Sequence, residues 1–179
     1  MASITFITGG CRSGKSSKAE ELCLASTGPH HYLATATAFD EGMTKRIDAH
    51  KAQRASSNWN NHEEALELLR VIETINEGSV LLECITLWIN NLMWQPEQNG
   101  LELNENIIIE KKQELIVAMQ SSKCHFFVVS NETGLGIMPM NAQARLFGDL
   151  AGRCNQLFAQ AADRAIFMVS GLAMELKNV

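Results

Sequence analysis

Several short runs along the chain are apolar almost without a break: SITFIT (3–8), HYLATA (31–36), SVLLECI (79–85), HFFVVSN (125–131) and RAIFMVSG (164–171). Strands buried on both faces carry such runs, whereas strands with one wet face alternate. Between them the apolar positions recur three or four residues apart. This predicts helices near 15–25, 43–54, 63–76, 86–94, 104–120 and 141–162. The last is the clearest. Leu146, Phe147, Leu150, Cys154, Leu157, Phe158 and Ala161 fall at helical spacing, with Arg145, Asp149 and Arg153 on another face. Alternating strands and helices predict an α/β fold with a mostly parallel sheet and helices on both faces. WQPEQNGLELN (94–104) is the most loop-like internal stretch and is expected to project from the domain rather than divide it.

Composition adds bounds. With 179 residues, 46% of them hydrophobic, the whole of 1–179 suits one domain with a real core. The net charge of −5 comes from interspersed acids and bases. No broad basic field invites nucleic acid, so any anion site must be local. No apolar run approaches the roughly 20 residues that span a bilayer, and MASITFITGG lacks the parts of a signal peptide. Cys11, Cys23, Cys84, Cys124 and Cys154 form no CxxC pair. Reduced, mostly buried thiols in a cytoplasmic protein are expected.

The chemistry begins at TGGCRSGKSS, directly after the first strand. Gly9, Gly10, Cys11, Arg12, Ser13, Gly14, Lys15 and Ser16 fit the pattern GxxxxGK followed by Ser or Thr, with a strand before and a helix after. Glycines let the backbone curl so that successive N–H groups point at phosphate oxygens, and the new helix adds its positive end. Lys15 can reach the β and γ phosphates, and the Ser16 hydroxyl can ligate Mg²⁺. A second carboxylate for that metal is expected at the end of a neighbouring strand. Glu83, a lone acid in an apolar strand, is the candidate; a structural salt bridge is the alternative.

MTKRIDAHKAQRASSNW (43–59) is the other informative stretch. On a helix Arg46, His50 and Arg54 share one face, with Lys51 beside them. Neighbouring cations favour an uncharged imidazole, the form a nucleophilic histidine requires. A solvated face with an incidental histidine fits the spacing equally. His30, His31, His62 and His125 have no metal-ligand spacing, so no zinc site is expected. Asn131 and Glu132, after the fourth apolar run, are expected near the phosphates, because ligands of parallel sheets bind at the carboxyl ends of strands. Glu63 is read as opening a helix, where it either caps that helix or accepts a bond from a base or ribose.

Together these segments resemble the bifunctional adenosylcobinamide kinase / adenosylcobinamide-phosphate guanylyltransferase family of cobalamin biosynthesis. The resemblance runs nearly end to end: TGGCRSGKS, YLATA (32–36), RIDAHKAQR (46–54), LLECITLWINNL (81–92), VSNETGLGIMP (129–139), RLFGDLAGRCNQLFAQAAD (145–163) and VSGLAMELK (169–177). It implies a P-loop NTPase-like fold with a RecA-like core. It also implies two reactions. ATP or GTP phosphorylates the aminopropanol hydroxyl of adenosylcobinamide. GTP then gives its guanylyl group, through a histidine, to adenosylcobinamide phosphate, yielding adenosyl-GDP-cobinamide and pyrophosphate. His50 matches that histidine, and Lys15 joins it as a catalytic group. Lys51, Ala52, Gln53 and Arg54 match nucleotide-binding positions, as do Ala34, Thr35, Ala36, Glu63 and Glu83. Ser16 and Glu83 would hold Mg²⁺. The resemblance further implies a homotrimer with sites near subunit interfaces. Cys11, Gly42, Ala55 and Gly148 depart from the residues usual in the family. The competing readings are a kinase without guanylyl transfer and a nucleotide-dependent switch that is no enzyme.

Overall fold

The computed structural model describes residues 2–38, 40–54, 57–98 and 105–179, and within them all side chains but those of Arg46, Gln53, Pro96, Glu97 and Gln98. Strands β1 (Ser3–Gly9), β2 (His30–Ala34), β3 (Trp59–Glu63), β4 (Ser79–Glu83), β5 (His125–Val129), β6 (Arg164–Val169) and β7 (Leu172–Asn178) form one sheet in the order β3-β2-β4-β5-β1-β6-β7. Every pairing is parallel except that of β6 with β7. Helices α1 (Lys15–Ala25), α2 (Glu41–Arg54), α3 (Leu68–Thr74), α4 (Ile85–Gln98), α5 (Glu105–Ser121) and α6 (Ala142–Ala161) make the connections.

The apolar runs are continuous because both faces are covered. Alternate residues Ile4, Phe6, Val80, Leu82, Phe126 and Val128 point into one core with α3, α4, α5 and α6. Phe158 of α6 stacks on Phe6 there, with ring centroids 6.1 Å apart. The residues between them, Ile7, Leu81, Phe127 and Val129, face the other way and pack with Ala19 and Cys23 of α1. Burying such a side chain stabilises the fold by about 1.5–3 kcal/mol.

Three expectations need correction. Glu63 does not open a helix. It ends β3, a polar edge strand whose single buried residue is Trp59, and α3 starts only at Leu68. Glu64 instead leads into that helix, its carboxylate accepting from the N–H groups of Leu66 and Glu67. These bonds lower its pKa. Trp94 is not in a loop, because α4 continues to Gln98; the rest of the expected projection, 99–104, lies outside the described residues. The run RAIFMVSG is not one strand. Ser170 and Gly171, at φ 51° and 84°, turn the chain into β7. Two consecutive left-handed residues are what a tight hairpin turn requires.

Lys112 of α5 is a local conflict in this core. It is fully buried and its Nζ has no hydrogen-bond partner. Burial lowers its pKa, with Cys154 nearby on α6. The unfolded chain therefore binds this proton more readily than the folded one, and stability rises as pH climbs towards the free-lysine range. Lys112→Met is expected to stabilise the protein by about 1–3 kcal/mol near neutral pH. It should also flatten the alkaline rise, as read by denaturant unfolding at about pH 7 and about pH 9.5.

Candidate functional site

The glycine-rich loop lies where β1 meets α1. Gly9 has φ 148°, and a Cβ there would stand 2.3 Å from the Met168 carbonyl oxygen of β6. Only glycine allows that approach. Gly14, at φ 93°, caps α1 without a side-chain bond, so the first N–H groups of the helix stay available to an anion. The loop is also tied to the β6–β7 turn, whose Gly171 N–H donates to the Ser13 carbonyl at 3.0 Å. Lys15 is buried, and its Nζ donates to the Gly10 carbonyl at 2.6 Å. Burial lowers its pKa, while Cys84, Cys11 and Glu83 pull the other way.

Glu83, at the end of β4, brings the loop and the sheet together. Its Oε1 accepts from the Ser16 hydroxyl and its Oε2 from the Tyr32 hydroxyl, the latter at 2.8 Å. Among the described residues no ion pair to Glu83 is formed, so the alternative of a structural salt bridge is not seen there. Two hard oxygen donors, a hydroxyl and a carboxylate, stand together here, a set that suits Mg²⁺ with phosphates and water completing the shell. Among the described residues no group of three or more His, Cys, Asp or Glu could hold a metal without such help.

Tyr32 has a second neighbour. The Arg54 guanidinium carbon lies 3.5 Å from the centroid of its ring, and Arg54 Nη1 is 3.9 Å from Glu20 Oε1 of α1. Arg54 is buried, and its Nε and Nη1 have no hydrogen-bond partner. Burial raises the Glu20 pKa, Glu83 raises it further, and Arg54 and His50 oppose them.

His50 lines a crevice of about 520 Å³ together with Arg12, Lys15, Ser16, Glu83 and Asn131. It also lines an adjoining cavity of about 430 Å³, with Tyr32, Ala34, Ala36, Lys51, Arg54 and Glu63. The imidazole thus stands at the junction of the phosphate loop and a second hollow. Lys51 pairs with Glu63 at 2.6 Å, both well exposed. The Thr35 hydroxyl is committed to the Cys84 backbone, donating to its carbonyl and accepting from its N–H, each at 2.8 Å. Ala52 is exposed, and the Gln53 and Arg46 side chains lie outside the described residues. Asn131 reaches the crevice, but the Glu132 carboxylate accepts from the Gly134 N–H at 2.8 Å in its own loop. At Gly148 a Cβ would meet nothing within 4 Å, and Ala55 lies outside the described residues. Sequence reasoning missed Tyr32 and Glu20. Glu20 carries a faint signal, one helical turn after Ser16; Tyr32 is hidden in an apolar run.

The fold is shared with an ATPase from the type III secretion system of pathogenic bacteria, at TM-score 0.55 and 11% identity, over 97% of this chain and 56% of that one. The likeness is one of fold, a P-loop, RecA-like α/β sheet. Sequence relatives are much nearer. The bifunctional adenosylcobalamin biosynthesis protein CobU of Salmonella typhimurium is 38% identical over 96% of this chain and 98% of its own. The protein CobP of Pseudomonas aeruginosa, described in the same words, is 37% identical over 97% and 96%. Its Escherichia coli counterpart CobU is 36% identical. A family model described as cobinamide kinase / cobinamide phosphate guanyltransferase matches residues 5–176, and to that family the chain belongs.

Proposed function

We propose that one triphosphate site on this chain serves both reactions of its family. The family makes the chain a transferase with cobinamide kinase and cobinamide phosphate guanylyltransferase activities. The loop from Gly9 to Ser16 holds the phosphates of ATP or GTP through its amides, and Lys15 neutralises charge on the outer ones. In the kinase step the aminopropanol hydroxyl of adenosylcobinamide attacks the γ-phosphorus, and the nucleoside diphosphate leaves. In the second step a ring nitrogen of His50 attacks the α-phosphorus of GTP. An N–P bond forms, the bond from the α-phosphorus to the bridging oxygen breaks, and pyrophosphate leaves. A phosphate oxygen of adenosylcobinamide phosphate then attacks the same phosphorus, giving adenosyl-GDP-cobinamide and freeing His50. The covalent stage splits one hard transfer into two.

The supporting observation is that His50 shares one crevice with Lys15 and Ser16 and also opens on the adjoining cavity. That cavity, with Ala34, Ala36, Lys51 and Glu63, suits the guanosine. Ser16 and Glu83 would hold Mg²⁺, which supplies charge neutralisation on the phosphates. The homotrimer finds support in the exposed apolar residues Leu172, Met174 and Leu176 on edge strand β7. Five free cysteines fit a reducing, cytoplasmic setting. Among the described residues no helix is long and apolar enough to cross a membrane.

With GTP labelled at its α-phosphorus, the protein should acquire acid-labile, alkali-stable label. His50→Ala should lose that label by on the order of 10³-fold or more. Phosphorylation of cobinamide without any protein label would leave a kinase alone. Lys15→Ala should lower cobinamide phosphorylation roughly 10²–10³-fold and weaken GTP binding; turnover at the original rate would refute the site as drawn.

A further inference from the structure

We propose that Tyr32 and Glu20 are positioning residues for guanylyl transfer, holding Arg54 and through it the helix that presents His50. The proposal rests on His50 as the guanylyl acceptor. It starts from how little else fixes α2. Among the described side chains of that helix only Arg54 is buried; Met43, Ile47 and His50 are partly covered and the remainder are exposed. A helix in a globular protein is normally oriented by an apolar stripe pressed into a core. Here the buried anchor is a guanidinium.

That guanidinium is held on two sides. The Tyr32 ring lies under it at 3.5 Å, and the Glu20 carboxylate faces it at 3.9 Å. A cation over an aromatic face, away from water, is attracted by the ring's negative face. Arg54 lies one helical turn after His50, so the two share a face of α2. Fixing the guanidinium therefore fixes the rotation of α2 and the direction of the imidazole. The other end of the clamp reaches the phosphate loop. Tyr32 donates to Glu83, which also takes the Ser16 hydroxyl, and Glu20 sits one turn beyond Ser16 on α1. Another tie of α2 among the described residues, Lys51 to Glu63, joins two well-exposed side chains and contributes little.

The two activities should therefore depend on the clamp unequally. Attack on the α-phosphorus needs α2 in register with the loop, and small errors of placement are costly. Transfer of the γ-phosphoryl group uses the loop and a hydroxyl of the substrate, not α2.

The test uses Glu20→Gln, Tyr32→Leu and Tyr32→Phe in the full-length protein. The readings are the single-turnover rate of labelling from α-labelled GTP, the GTP dissociation constant, cobinamide phosphorylation and the melting temperature. Glu20→Gln and Tyr32→Leu should slow labelling about tenfold or more. In Glu20→Gln the GTP affinity and cobinamide phosphorylation should stay within about twofold. Tyr32→Phe and Tyr32→Leu both lose the bond to Glu83, so Tyr32→Phe, which keeps the ring face, should label at least about fivefold faster than Tyr32→Leu. Labelling at the original rate in both Glu20→Gln and Tyr32→Leu would overturn the proposal. So would labelling and phosphorylation falling in parallel in Glu20→Gln, since a merely structural lesion does that. Tyr32→Phe as slow as Tyr32→Leu would overturn the part given to the ring. A wild-type protein that takes no label would overturn the histidine reading and the clamp with it.

Discussion

A single carboxylate with two hydroxyl donors holds this site together. Glu83 ends a strand whose other residues are all buried, and an ionised group there must have partners in place. It has Ser16 from the helix after the phosphate loop and Tyr32 from the neighbouring strand. The loop, β2 and β4 are thereby locked to one another before any ligand arrives. Groups fixed in advance in this way stabilise developing charge effectively, because they need little reorganisation at the moment of reaction.

The sheet order explains why these groups meet. β4, β5 and β1 lie side by side and parallel, so their carboxyl ends open on one edge. Glu83, Asn131 and the glycine loop follow those ends directly. The β2 end adds Thr35, which spends its hydroxyl on fastening β2 to the backbone after β4. α2 is different in kind. It carries the histidine proposed as guanylyl acceptor but has hardly any apolar footing among its described side chains, so its pose depends on polar contacts that can be broken one at a time.

The parts legible in the sequence are those with local causes. The five buried strands show themselves as apolar runs, and the phosphate loop as eight consecutive residues of fixed type in a strand-to-helix setting. β3 was not legible, because Asn60, Asn61, His62 and Glu63 have no apolar pattern; they join β2 through backbone register and through the His62 ring stacked on His31. β7 was within reach: Leu172, Met174 and Leu176 alternate with polar residues, and Ser170-Gly171 is a common tight turn. The contact of Arg54 with Tyr32 and Glu20 has no local signature. It joins α2, β2 and α1, and its members become neighbours only when the chain folds.

The hairpin at the far edge has an implication for the order of assembly. Gly9 abuts the Met168 carbonyl, and Gly171 bonds back to Ser13. During synthesis residues 9–16 leave the ribosome long before residue 171. The nascent chain can make a strand, a loop and a helix early, but a brace behind that loop comes from a segment translated near the finish. The loop therefore takes its final bracing only when the last sheet pairing has formed.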